Sequence, residues 1–98
     1  MQKVVLLGST GSVGKSSLEV IEQNKEKYEI ACLVALSNDE LIKTQAKRHK
    51  KAKIYIEKPR NKLSSKKLIN KNDLLKLISS NNVDTVIAAI SGSDGLEL

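Results

Sequence analysis

A glycine-rich segment near the start of the chain, Gly8-Ser9-Thr10-Gly11-Ser12-Val13-Gly14, constrains the fold more than any other part of the sequence. An apolar run, Val4 to Leu7, precedes it, and a segment with helical spacing of apolar residues follows it. This order predicts a strand, a tight turn and a helix. Three glycines spaced by three let the chain reverse closely and leave no Cβ where a diphosphate approaches the first N–H groups of the helix. The segment therefore predicts a site for a nucleotide phosphate.

The spacing Gly-x-x-Gly-x-x-Gly is a variant of the dinucleotide fingerprint Gly-x-Gly-x-x-Gly. A second apolar run follows at residues 31–35, at the distance expected for a strand-helix-strand unit. The predicted elements are strands over 3–7, 29–35, 53–56 and 84–90 and helices over 12–23, 39–49 and 73–80. Alternating strands and helices predict an α/β fold, an incomplete Rossmann-like doubly wound parallel sheet that binds its ligand at the carboxyl ends of the strands.

A competing interpretation begins at Ser9. From Ser9 to Ser16 the chain approaches the phosphate-binding loop of nucleoside triphosphatases, Gly-x-x-x-x-Gly-Lys-[Ser/Thr], with Lys15 in the lysine position. The register is off by one, because Gly8 stands one residue before the required glycine. Residues 70–73, Asn-Lys-Asn-Asp, imitate a guanine-reading tetrapeptide but follow a polar, basic stretch, so they are interpreted as a polar cap on a helix. A dinucleotide is favoured, and a triphosphatase stays as the alternative.

Length and charge limit the other interpretations. The chain has 98 residues, whereas a complete doubly wound domain usually takes about 150. We therefore expect one partial domain over residues 1–98. The net charge is +6, and much of the excess lies in residues 43–53 and 58–71. Because the only aromatic residues are two tyrosines, no stacking platform accompanies the lysines, and no nucleic-acid partner is predicted.

Single cysteine and histidine residues carry little functional signal. Cys32 lies inside an apolar run and is predicted to be a small buried hydrophobe. His49 stands among lysines with no partner at metal-ligand spacing, so no metal site is predicted. The first residues lack a signal-peptide core, and no apolar run approaches the roughly 18 residues of a membrane span. The sequence predicts no membrane partner and a cytoplasmic protein.

Three segments occur in order along the chain: the glycine segment followed by Ser17-Leu18-Glu19-Val20-Ile21, then Leu33-Val34-Ala35, and then Val83-Asp84 with Ala88-Ala89-Ile90-Ser91-Gly92 and Gly95-Leu96. Together they resemble the amino-terminal domain of the 1-deoxy-D-xylulose 5-phosphate reductoisomerase family. The resemblance covers most of residues 1–56 and 83–98. It implies an NADPH-dependent enzyme of non-mevalonate isoprenoid biosynthesis. Such an enzyme isomerises and reduces 1-deoxy-D-xylulose 5-phosphate to 2-C-methyl-D-erythritol 4-phosphate with Mg²⁺ or Mn²⁺.

The resemblance also implies which residues contact the cofactor. The implied cofactor-binding residues are Gly8, Ser9, Thr10, Gly11, Ser12, Val13, Ser37 and Asn38. Asn38 matches the residue that closes the adenosine pocket. Leu36 and Ser37 depart from the family, which commonly has a small residue and then a basic residue facing the ribose 2′-phosphate. Because no acidic residue ends the second strand, NADPH remains the expected cofactor, with a weakened preference over NADH.

The family's metal ligands, its sugar-phosphate site and an Asn-Lys-Glu segment near the nicotinamide match no part of this chain. The resemblance therefore implies an amino-terminal fragment that holds cofactor-binding positions and no catalytic residues, and that is inactive alone. The whole enzyme is expected to take a small sugar phosphate as substrate and to form a homodimer. A degenerate, non-catalytic dinucleotide-binding module is a further alternative.

Overall fold

The computed structural model describes residues 2–37, 39–58 and 67–89. In that part of the chain, strands and helices alternate as β1 (Gln2–Leu7), α1 (Ser12–Gln23), β2 (Tyr28–Ala35), α2 (Asp39–Lys47), β3 (Lys53–Ile56), α3 (Lys71–Ser79) and β4 (Thr85–Ala88). The predicted helix over 12–23 and strand over 53–56 are confirmed to the residue. The other predicted elements are confirmed with ends shifted by one or two residues. Residue 90, the end of the last predicted strand, lies outside the described residues.

All the strand pairs are parallel, and the sheet has the order β3-β2-β1-β4. The chain builds outward from β1 to β3 and then crosses back over β1 to form β4. This reversal places α1 and α2 on one face of the sheet and α3 on the other. It creates a switch point between β1 and β4, where open α/β sheets bind ligands. The predicted Rossmann-like, doubly wound parallel sheet is confirmed.

The face under α1 and α2 is an aliphatic core. Leu18 and Ile21 lie three residues apart on α1, and Ile42 and Ala46 lie four apart on α2, so each pair faces the sheet. The strands contribute Val4, Leu6, Ile30, Leu33, Ala35, Ile54 and Ile56. Burying one leucine or isoleucine side chain is worth about 1.5–3 kcal/mol. These contacts hold both helices firmly against the strand ends that form the site.

The opposite face, under α3, contains two titratable side chains. Cys32 is fully buried, which confirms the prediction, and burial raises the pKa of its thiol to about 12. Burial and a hydrogen bond from the Tyr55 hydroxyl to the Glu57 carboxylate raise the pKa of Tyr55 to about 12. Both side chains are therefore neutral near pH 7, and they pack beside Leu74 of α3 without placing a charge in this core.

The sequence of residues 57–71, which contains the only proline and many lysines, predicts a loop or poorly packed segment, and the structure corrects this prediction at residues 67–69. The Ile54 N–H donates to the Lys67 carbonyl at 2.9 Å, and the Ile69 N–H donates to the Ile54 carbonyl at 2.9 Å. Leu68 thereby forms a parallel bridge with Ile54 at the edge of the sheet. Pattern reasoning missed the bridge because two apolar residues after a basic stretch are too short to show strand alternation.

Side chains make hydrogen bonds at two helix ends. At the end of α2 the Lys67 ammonium donates to the carbonyls of Ala46 at 2.7 Å and His49 at 2.9 Å, which also accept from the N–H groups of His49 and Ala52. This contact accompanies a turn at residues 48–50, and the predicted helix to residue 49 ends at residue 47 instead. At the start of α3 the Asn70 side chain accepts from the Asp73 N–H at 2.8 Å. The interpretation of residues 70–73 as a helix cap is confirmed.

Candidate dinucleotide-phosphate site

The glycine turn joins β1 to α1 at the switch point of the sheet. Gly8 has a φ of 84°, in the left-handed region that glycine adopts without strain. The N–H groups of Gly8 and Ser9 both donate to the Val34 carbonyl of β2, at 2.8 and 3.0 Å. The Gly11 N–H donates back to the Gly8 carbonyl at 3.1 Å and closes the turn. Backbone hydrogen bonds thus fix the turn against the neighbouring strand.

The other two glycines meet very different surroundings. A Cβ on Gly14 would lie 1.8 Å from the Gly8 oxygen and 2.8 Å from the Ser9 Cα, so α1 packs directly on the turn and only glycine fits. A Cβ on Gly11 would meet the Gly8 oxygen at 3.6 Å, which is ordinary contact, and Gly11 is exposed. Gly14 therefore allows α1 to pack on the turn, while Gly11 leaves space above the turn because it has no side chain.

Helix α1 begins with no side-chain cap among the described residues. Gly11 occupies the N-cap position, and the first turn contains no acidic residue. The first N–H groups of a helix have no partner inside it and form the positive end of its dipole. Ser12 and Val13, the first two helical residues, are exposed, and the Val13 side chain is 63% accessible. This end of α1 can receive the oxygens of a phosphate group.

The structure gathers the predicted residues from Gly8 to Val13 in this turn, but their side chains differ in access. Ser9 is fully buried, so it lines the turn with its backbone alone. Thr10 is half-buried and Ser12 is exposed. The N–H groups of Gly8 and Ser9 are already used on β2. The donors left for a ligand are therefore those of Thr10 and of the first residues of α1.

The end of β2 lies beside the turn because Val34 accepts from it. Leu36 packs against the core under α3, and its carbonyl accepts from the Lys58 N–H at 2.7 Å. Ser37 follows as a half-buried residue before α2. Asn38, the other residue expected on this side, lies outside the described residues. Of the two residues expected near the adenosine, the structure thus describes Ser37, which follows three residues after the Val34 carbonyl that accepts from the turn.

Sequence reasoning missed one residue of the site, Gln45. Its Nε2 donates to the Ser9 carbonyl at 2.8 Å, and the residue is 1% exposed. Gln45 lies on α2 with Ile42 and Ala46, at the three- and four-residue spacing of a buried helix stripe. A polar residue on an apolar stripe was the available signal. Its partner, 36 residues away, could be identified only from the fold.

Glu22 of α1 contacts two residues that follow α2. One carboxylate oxygen pairs with Arg48 Nη1 at 3.3 Å, and the other lies 3.1 Å from His49 Nε2. Among residues 2–37, 39–58 and 67–89, no group of three or more His, Cys, Asp or Glu side chains is placed to hold a metal ion. No helix in the same residues is long and apolar enough to cross a membrane.

Comparison with known proteins decides the family. The family model described as 1-deoxy-D-xylulose 5-phosphate reductoisomerase matches residues 4–98. The chain belongs to this family. The reductoisomerase of Glaesserella parasuis serovar 5 is 36% identical over 107 residues, and that of Actinobacillus pleuropneumoniae serotype 5b is 39% identical over 107 residues. Each alignment covers 98% of this chain and 27% of the relative.

Solved reductoisomerases share the fold as well. A crystal structure of DOX-P reductoisomerase in complex with magnesium matches with a TM-score of 0.77 and 32% identity over 98% of this chain and 26% of that chain. The Zymomonas mobilis reductoisomerase in complex with NADPH matches with a TM-score of 0.52 and 29% identity over 90% of this chain and 21% of that chain. The resemblance inferred from the glycine segment is confirmed. Membership of a reductoisomerase family gives no support to the triphosphatase alternative.

Proposed function

We propose that this chain is a partial NADPH-binding domain, over residues 1–98, of a 1-deoxy-D-xylulose 5-phosphate reductoisomerase. The observation that carries the proposal is the uncapped start of α1 at the switch point of the sheet. Gly8 shapes the turn, Gly14 seats the helix on it, and Gly11 leaves room for a ligand. The NADPH complex of a structurally similar family member supports this choice of ligand.

In this proposal the diphosphate lies over the turn. The N–H groups of Thr10, Ser12 and Val13 and the two hydroxyls donate to phosphate oxygens at the positive end of α1. Gly8 and Ser9 contribute the shape of the backbone. Ser37 and Asn38 would face the adenosine and its ribose 2′-phosphate. Bound NADPH supplies the hydride for reduction, and the residues of this chain hold and orient its adenosine half.

For the whole enzyme we propose the family's reaction. It isomerises and reduces 1-deoxy-D-xylulose 5-phosphate to 2-C-methyl-D-erythritol 4-phosphate. The catalytic residues and the Mg²⁺ or Mn²⁺ ligands belong to parts of the family's enzymes that this chain does not match, and the magnesium complex of a structurally similar enzyme supports the metal. We place the enzyme in the cytoplasm as a homodimer that acts on a small sugar phosphate. This chain alone is proposed to bind cofactor without turnover.

The basic residues are proposed to serve the fold and its surface, with no nucleic-acid partner. Lys67 holds the end of α2, Lys51 pairs with Glu29 at 3.4 Å, and Lys71 pairs with Glu57 at 3.8 Å. Exposed pairs of this kind contribute little to stability, about 0–1 kcal/mol each. They nevertheless neutralise part of the positive charge locally, which supports a solvated surface over a nucleic-acid interface.

The first test measures binding of NADPH and of 2′,5′-ADP to this chain by calorimetry. Both are expected to bind, because 2′,5′-ADP is the adenosine end of NADPH, and ATP or GTP should not displace them. Gly11→Val should weaken NADPH at least about ten-fold, since a branched side chain fills the space above the turn. Asn72→Val, an exposed change on α3, is the matched control. Unchanged NADPH affinity in folded Gly11→Val, or displacement by ATP, rejects the site.

A further inference from the structure

The contact between Gln45 and Ser9 joins α2 to the glycine turn. Gln45 Nε2 donates to the Ser9 carbonyl at 2.8 Å, and the two residues are 1% and 0% exposed. Gln45 lies on α2, which begins directly after the segment that contains Ser37. A single buried hydrogen bond therefore connects the proposed diphosphate turn to the element next to the proposed ribose contact.

The same pair of residues leaves two buried polar atoms without partners. Neither Ser9 Oγ nor Gln45 Oε1 has a hydrogen-bond partner among the described residues. A buried polar group left in this state costs about 1–3 kcal/mol. A leucine at position 45 would remove the unpaired Oε1 but would leave the Ser9 carbonyl without its donor. The one satisfied group of Gln45, the side-chain N–H that donates to the Ser9 carbonyl, therefore indicates its role.

The geometry of the peptide bond shows what that N–H controls. In a planar trans peptide the carbonyl and the following N–H point in opposite directions. Because the Ser9 carbonyl points inward to Gln45, the Thr10 N–H points away from Gln45. Backbone hydrogen bonds from Gly8, Ser9 and Gly11 fix the neighbouring peptides. Among bonds between described residues, only the Gln45 side chain fixes the peptide between Ser9 and Thr10.

We propose that Gln45 is a positioning residue of the dinucleotide site, which holds the Ser9–Thr10 peptide so that the Thr10 N–H faces the diphosphate. This inference rests on the proposed NADPH function and assigns one of its donors to a helix outside the glycine segment. Without the amide, the Ser9 carbonyl is a buried acceptor with no donor, and the peptide gains by rotating toward solvent. Rotation would turn a carbonyl oxygen toward the phosphate in place of an N–H.

The test compares Gln45→Leu with Gln23→Leu, the same change at an exposed position of α1. NADPH affinity measured by calorimetry should fall about ten-fold in Gln45→Leu and stay unchanged in Gln23→Leu. In NMR spectra of the folded Gln45→Leu protein, the Thr10 amide should no longer shift on addition of NADPH, while the Val13 amide still shifts. A purely structural role would weaken both responses together.

Gln45→Glu adds a pH readout. A carboxylate cannot donate to the Ser9 carbonyl, whereas a protonated carboxyl can, and burial favours the protonated form. NADPH affinity of Gln45→Glu relative to the original chain should therefore recover as the pH is lowered. A ratio of affinities that is independent of pH contradicts the proposal.

The outcomes separate this inference from the proposed function. If the original chain fails to bind NADPH, the proposed function fails and the inference falls with it. If the original chain binds NADPH and folded Gln45→Leu binds equally well, only the inference is overturned. If Gln45→Leu does not fold, the Thr10 amide of the original chain decides the matter. A clear shift of that amide on NADPH binding supports the proposal, and an unshifted Thr10 amide overturns it.

Discussion

The glycine turn and the end of β2 lie side by side, joined through the Val34 carbonyl, but they are built on different principles. The turn is shaped by backbone groups and by glycines, and its buried Ser9 hydroxyl has no hydrogen-bond partner within residues 2–37, 39–58 and 67–89. The end of β2 is shaped by side chains, with Leu36 packed into a core and Ser37 half-buried. Under the proposed function, the backbone of the turn binds the phosphate common to all dinucleotides, whereas side chains at the end of β2 select among them.

The largest loss of stability should follow from adding one carbon atom to Gly14, where α1 packs on the turn. Gly14→Ala places a Cβ 1.8 Å from the Gly8 oxygen, and we expect the free energy of unfolding to fall by about 3 kcal/mol or more. This loss should exceed the gain of about 1 kcal/mol in helix propensity. Urea denaturation followed by circular dichroism measures the change.

Gly11→Ala is the matched control, because its Cβ meets only ordinary contact at 3.6 Å. Its free energy of unfolding should stay within about 0.5 kcal/mol of the original value, as for other exposed substitutions. If Gly14→Ala is as stable as Gly11→Ala, the close seat of α1 on the turn is wrong, and the contrast between the two regions loses its structural basis.

Much of the turn and of the sheet was predictable because both leave local signals. The spacing of Gly8, Gly11 and Gly14 predicts a turn, and the apolar runs of β1 and β2 indicate buried parallel strands. The parallel sheet and the family followed from the same segments. These signals are local since a strand, a turn and the start of a helix are each specified by residues adjacent in the chain.

The contacts that sequence reasoning missed are all long-range. Gln45 reaches a carbonyl 36 residues away, and Lys67 reaches carbonyls 18 and 21 residues away. No period or motif encodes such a pair, because each depends on how a helix rotates against the sheet. The same limit applies to the lysine-rich residues 58–71, whose composition indicates solvated helix faces and loops, although Lys67 is half-buried at the end of α2.

A smaller effect, on NADPH affinity, is expected at the end of β2, where side chains are proposed to select the cofactor. Ser37→Lys should raise NADPH affinity several-fold, about 1 kcal/mol, because an ammonium beside the 2′-phosphate makes a charge-assisted contact that a hydroxyl does not. NADH affinity should not change. Ser79→Lys adds the same charge at an exposed position of α3 and controls for long-range attraction. Equal gains for the two cofactors, or for the two variants, would show that Ser37 does not face the ribose phosphate.

The smallest change in NADPH affinity is expected at Lys15. A small change would indicate that backbone N–H groups, and not a side chain, bind the phosphate. Lys15 is exposed in the first turn of α1, and its N–H is already used on the Gly11 carbonyl at 2.8 Å. If the turn binds phosphate through backbone N–H groups, Lys15→Ala removes only a screened surface charge. NADPH affinity measured by calorimetry should then change less than about two-fold. In a phosphate-binding loop the same lysine contacts the β- and γ-phosphates directly, so a loss of ATP binding or hydrolysis in Lys15→Ala would restore the triphosphatase interpretation.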